Sequence, residues 1–213
     1  MNIKNPITIF ICLFLTGCLT TMGPSGDAPR PGVIVLPTSG GVSHEPTYAA
    51  QLSRKGFQVV IADYHQRGGT DNITEAYDIL RKDPRVGKIG MVGFSRGAVM
   101  GISHANYLQV NTNRKIDAIV SFYIGPTTPY NDRSLPPILF LQGELDNYVS
   151  PKQLVGYCSY MDPTGNRCKV KEFIGVGHAF DQIRTLPIYS GYNAKATDES
   201  YELTIQWLNQ WLR

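Results

Sequence analysis

The stretch KIGMVGFSRGAVMGISHANYL, residues 88–108, passes from one periodicity to another. Ile89–Val92 is a short apolar run of strand length, and from Arg96 onward the pattern suits a helix. At the junction stands Gly93-Phe94-Ser95-Arg96-Gly97, a G-x-S-x-G pattern in the strand-to-helix context of a nucleophile elbow. Such a turn is tight enough that side chains two positions either side of the serine would collide, which accounts for Gly93 and Gly97. Ser95 would then stand at a helix N-terminus, where unpaired N–H groups and the helix dipole favour developing negative charge.

Working outward, Val33–Leu36, Phe57–Ala62, Ile116–Phe122, Ile138–Leu141 and Val170–Phe173 are further apolar runs rich in β-branched and aromatic residues. Near-continuous hydrophobicity over so few residues suits strands buried on both faces. Helix-length segments lie between and around them, at about 44–55, 71–82, 96–109, 151–161 and 198–212. In the last, Tyr201, Ile205, Leu208 and Leu212 form one apolar stripe, with Asp198 or Thr197 as the expected cap and Trp207 and Trp211 as packing residues. The alternation predicts an α/β fold with a mostly parallel central sheet and helices on both faces.

Composition agrees. A chain of 213 residues, 42% hydrophobic and 17% charged, can bury the core of one domain and excludes a disordered or fibrous protein. Its net charge is only +3, and no run of basic residues exceeds two, so nothing resembles a nucleic-acid footprint. No Cys/His group has metal-ligand spacing, so structural zinc is not expected, and nucleophilic catalysis by Ser95 requires neither a metal nor an organic cofactor.

The N-terminus MNIKNPITIFICLFLTGC reads as an export signal: an early lysine, an apolar run, then small residues before a cysteine. Leu15-Thr16-Gly17-Cys18 resembles the bacterial lipobox, which implies a leader over residues 1–17 and a lipid on Cys18. The expected location is the bacterial cell envelope, with the membrane as partner through the anchor. Residues 18–31, rich in Gly, Pro, Ser and Thr, read as a flexible tether, and residues 32–213 as the globular domain. Export also makes Cys158 and Cys168 a candidate disulfide.

A serine hydroxyl is a weak nucleophile and needs a base held by a carboxylate. PPILFLQGELD, residues 136–146, carries a strand into a loop and places Asp146 just past its end, with Glu144 as the rival carboxylate. Gly175-Val176-Gly177-His178 does the same after the next strand. Of the other histidines, His44 opens a helix, His65 lies in a polar loop and His104 falls inside the helix after Ser95. The candidate catalytic set is therefore Ser95, Asp146 and His178. Oxyanion donors would be the backbone N–H of Arg96 and one from the loop Leu36–Gly41, with Ser39 preferred and Gly40 second.

VIVLPTSGG, GFSRGA, PPILFLQGELDNYVSP and VKEFIGVGHAF together resemble the dienelactone hydrolase family of α/β-hydrolases, from Gly32 to the end of the chain. The resemblance implies the α/β-hydrolase fold, and the 51 residues from Ser95 to Asp146 and 32 on to His178 suit a compact member with no large lid. The founding members have a cysteine nucleophile, governed by a glutamate in the oxyanion loop. Here Ser95 takes the cysteine's place, and the loop offers Thr38 and no carboxylate. Dienelactone is therefore not carried over as substrate, nor are the arginines that hold its carboxylate, for which Arg67 and Arg184 are the nearest substitutes. The expected activity is that of a carboxylesterase on small esters through an acyl-enzyme. The rival readings are a peptidase or amidase with the same triad, and a non-catalytic envelope binding protein.

Overall fold

The computed structural model describes residues 7–11, 19–127, 133–183 and 191–213. Their order is β1 (Ile7–Ile11), β2 (Leu19–Pro24), β3 (Arg30–Leu36), α1 (Glu45–Arg54), β4 (Gln58–Ala62), α2 (Asp71–Lys82), β5 (Val86–Phe94) and α3 (Arg96–Thr112). Then follow β6 (Ala118–Phe122), β7 (Ile138–Gly143), α4 (Pro151–Met161), β8 (Cys168–Phe173) and α5 (Ala194–Leu212). The eight strands form one sheet in the order β1-β2-β4-β3-β5-β6-β7-β8. From β3 to β8 every pairing is parallel, while β1 and β2 run antiparallel at one edge.

The apolar runs behave as doubly buried strands because alternate residues feed two cores. Ile34, Val60, Met91, Ile119 and Phe140 pack with Ile73 of α2, Ala98 of α3 and Leu154 of α4. Their neighbours Val33, Val59, Val92, Val120 and Leu141 pack with Leu52 of α1 and Trp207 and Leu208 of α5. This is the mostly parallel α/β sheet expected from the alternation, and the α/β-hydrolase-like fold that the family resemblance implies. Cys158 of α4 and Cys168 of β8 are joined as a disulfide.

Two expectations need correction. The segment 18–31, read as a tether, is built into the sheet over most of its described residues: Leu19–Pro24 is strand β2, with Leu19 opposite Ala62 and Met22 opposite Val59, and Arg30 already opens β3. Leu19 and Met22 are buried, and the Gln58 side chain fills the space a Cβ at Gly23 would need. Glycine and proline there serve close approach and turning, since the Arg30 guanidinium donates to the carbonyls of Pro24, Gly26 and Ala28 and wraps the segment around itself. The apolar run Ile7–Ile11, assigned to the leader, pairs with β2 as an outer strand of the full chain. Secondly, α5 starts at Ala194, with Asn193 as its cap accepting from the Ala196 N–H, so Thr197 and Asp198 lie inside the helix. Alanine and lysine at 194–196 favour the extra turn.

Candidate active site

Six parallel strands point their C-terminal ends to one edge, and ligands in open α/β sheets gather there. Ser95, between β5 and α3, has φ 53° and ψ −114°, a conformation a non-glycine residue holds only under constraint. The constraint is visible. Its N–H donates to the Phe122 carbonyl at 3.0 Å, and its own carbonyl accepts from Gly125 at 3.2 Å. A Cβ at Gly93 would fall 2.4 Å from the Gly97 carbonyl oxygen, and one at Gly97 would fall 2.4 Å from those of Leu36 and Pro37. The two glycines therefore admit both the turn and the β3–α1 loop beside it.

Ser95 Oγ lies 2.8 Å from His178 Nε2, and His178 Nδ1 lies 2.7 Å from Asp146 Oδ2. Both His178 and Asp146 are buried, while Ser95 is partly open to solvent. The other Asp146 oxygen accepts from the Tyr148 N–H at 2.9 Å, which fixes the carboxylate plane. Glu144, the rival, turns instead to the Gly175 N–H at 2.8 Å. Together with Leu145 N–H donating to the Val176 carbonyl at 2.8 Å, it ties the loops that carry Asp146 and His178 to each other. Tyr148 and Tyr123 meet the imidazole edge-on, at ring separations of 4.7 and 5.0 Å.

The β3–α1 loop reveals a carboxylate that the sequence reading missed. Glu45, the first residue of α1 and fully buried, reaches back to the Thr38 N–H at 3.3 Å and the Ser43 N–H at 2.6 Å. The Tyr64 hydroxyl donates to the Pro37 carbonyl at 2.8 Å, and His65 Nε2 lies 2.9 Å from the Thr38 carbonyl. Gly40 N–H is taken by Thr38 Oγ1 at 3.3 Å and Gly41 N–H by the Thr38 carbonyl at 3.1 Å. Among the described residues, the Ser39 N–H in the middle of this turn, and that of Arg96 at the start of α3, have no partner. Burial and the neighbouring carboxylates hold the Tyr64 phenol well above its ordinary pKa despite the nearby Arg96, so it remains a donor to the loop.

A second polar network braces the histidine loop. Tyr123 donates to Asp181 Oδ1 at 2.7 Å and receives Gln182 Nε2 at 3.2 Å, and His44 Nε2 lies 3.2 Å from Asp181 Oδ2. Burial first, then the charge of Asp181, drive the Tyr123 phenol upward in pKa. His44 thus does more than open α1: its ring also rests edge-on against Phe94, beside the elbow, at 4.7 Å. His104 is elsewhere, buried against Thr74 Oγ1 at 3.0 Å. Cys18 and Arg184 lie outside the described residues, and Arg67 is exposed on the loop after β4.

The model of the dienelactone hydrolase family matches residues 69–212. Acyl-coenzyme A thioesterase 1 of Mus musculus is 29% identical over 133 residues, 57% of this chain and 32% of the thioesterase, so the chain spans about a third of that relative. In three dimensions the chain is similar to a dienelactone hydrolase-like promiscuous phosphotriesterase from metagenomic libraries, with TM-score 0.80, 19% identity, and 97% and 99% of the two chains covered. It is also similar to Thermogutta terrifontis esterase 2 phosphoramylated by tabun, with TM-score 0.69, 17% identity, and 96% and 94% covered. The family match runs from the loop after β4 to the last turn of α5 and takes in the elbow, the Asp146 loop and the His178 loop, and on that breadth this chain belongs to the dienelactone hydrolase family.

Proposed function

We propose that this chain is a serine hydrolase cleaving carboxylic esters, with Ser95 as nucleophile, His178 as general base and Asp146 as the group that orients it. The observation that carries this is the continuous hydrogen-bonded line from Ser95 Oγ through both nitrogens of His178 to Asp146. His178 Nε2 takes the hydroxyl proton as Oγ attacks the ester carbonyl, and Asp146 holds the Nδ1–H tautomer and stabilises the imidazolium. The carbonyl oxygen, now negative, takes the unpartnered N–H groups of Ser39 and Arg96. Collapse expels the alcohol, which receives the proton from His178, and leaves an acyl-Ser95 ester. Water then repeats the sequence with His178 again as base, releasing the acid.

Esterase and thioesterase relatives support ester-bond hydrolysis as the class. The partly open Ser95 suits small esters. The lipobox-like N-terminus supports an exported lipoprotein of the bacterial envelope. Hydrolysis of p-nitrophenyl acetate tests the chemistry: Ser95→Ala and His178→Ala are expected to lose about 10⁴-fold or more in kcat/KM. Unchanged rates in either variant would refute the assignment.

A further inference from the structure

The geometry points to an active-site edge that faces the lipid bilayer, so that esters reach Ser95 from the membrane interface. This inference rests on the proposal that Cys18 carries a lipid. Its basis is the direction of β2. Because β2 is antiparallel to β4, its first residue Leu19 stands opposite Ala62, the last residue of β4. Leu19 therefore lies at the same edge of the sheet as the ends of β5, β7 and β8, which lead to Ser95, Asp146 and His178. From β2 to β5 is three strand spacings, about 14 Å. No tether intervenes, since the residue after Cys18 is already hydrogen-bonded into the sheet. A lipid on Cys18 would leave the domain beside the catalytic mouth, with too little slack for the body to turn away.

The surface of that edge fits the same partner. Val42 on the loop after β3, Leu145 and Tyr148 after β7, Ile174 and Ile183 after β8, and Tyr192 before α5 are all large apolar residues exposed by 41–84%. They stand on several sides of the site and not in one groove, as residues meeting a broad interface would. Arg67 and Arg96, exposed on the same edge, suit the phosphate layer of lipid headgroups. At the opposite edge the exposed large apolar residues are fewer: Tyr107 and Val110 on the second half of α3 and Tyr160 at the end of α4.

The test uses the full chain, expressed with its N-terminus intact, purified from bacterial membranes and reconstituted into phosphatidylcholine vesicles. The mass of the N-terminal peptide first reports whether Cys18 is acylated. Single-cysteine variants Val42→Cys, Ile174→Cys and Val110→Cys then carry a fluorophore, Cys158 and Cys168 being already paired. Nitroxide-labelled lipids are expected to quench positions 42 and 174 at least several-fold more than position 110. Equal quenching, stronger quenching at 110, or an unacylated Cys18 would overturn the proposal. Hydrolysis of p-nitrophenyl acetate by the same vesicles reports the chemistry separately, so an inactive but correctly oriented protein would refute the hydrolase reading alone.

Discussion

Asp146 and Glu144 are two carboxylates, two residues apart, on one loop, and the structure gives them different work. Asp146 holds His178 Nδ1, and Glu144 holds the Gly175 backbone. Asp146→Asn presents the wrong hydrogen-bond partner to the imidazole and should lower kcat by about 10⁴-fold. Glu144→Gln keeps an acceptor for Gly175 and should change kcat by less than about tenfold, a contrast that steady-state kinetics on a nitrophenyl ester would check. At this scale much could be read from the sequence. Ser95, Asp146 and His178 follow from motif and chain order, because each sits where a buried strand ends. Glu45 could not be read that way. Its carboxylate reaches Thr38 only through the shape of the intervening turn, and an acidic residue opening a helix ordinarily signals no more than a favourable dipole contact.

Among the elements, the parallel strands were legible because each is a short, doubly buried apolar run. Strand β2 was not, since LTTMGP has only two buried apolar residues and its glycine and proline imitate a linker. What makes it a strand is tertiary: the edge of β4 to pair with, and Arg30 to gather the turn that follows. Deleting residues 19–23 would remove the burial of Leu19 and Met22, worth about 1.5–3 kcal/mol each, and bare the edge of β4. The shortened domain should therefore unfold at clearly lower denaturant than one beginning at Leu19, and should aggregate more readily. A domain starting at residue 24 that unfolds at the same midpoint would show that β2 contributes nothing to stability.

For the molecule as a whole, the parallel sheet sends the loops bearing Ser95, Asp146 and His178 to one edge, away from the packing of the helices on its faces. His104 belongs to that packing. Burial lowers its pKa below the ordinary 6.5, only partly opposed by the charge of Asp71, so the folded state prefers the neutral ring. The unfolded chain then binds more protons as pH falls below about 6.5, and this contribution to stability, present at higher pH, is progressively lost. Melting temperature should fall between about pH 7.5 and pH 5.5 more steeply for the native chain than for His104→Gln. Parallel slopes for the two proteins would mean that His104 is not part of the linkage.

The central claim is that Ser95 is an activated nucleophile, and covalent labelling reads this without knowledge of the natural ester. The chain would be treated with a fluorophosphonate, digested, and its peptides weighed. A single adduct on the peptide containing Ser95, absent from Ser95→Ala and formed far more slowly by His178→Ala, is the predicted result. No adduct on the native chain, or labelling of either variant as fast as the native chain, would contradict it.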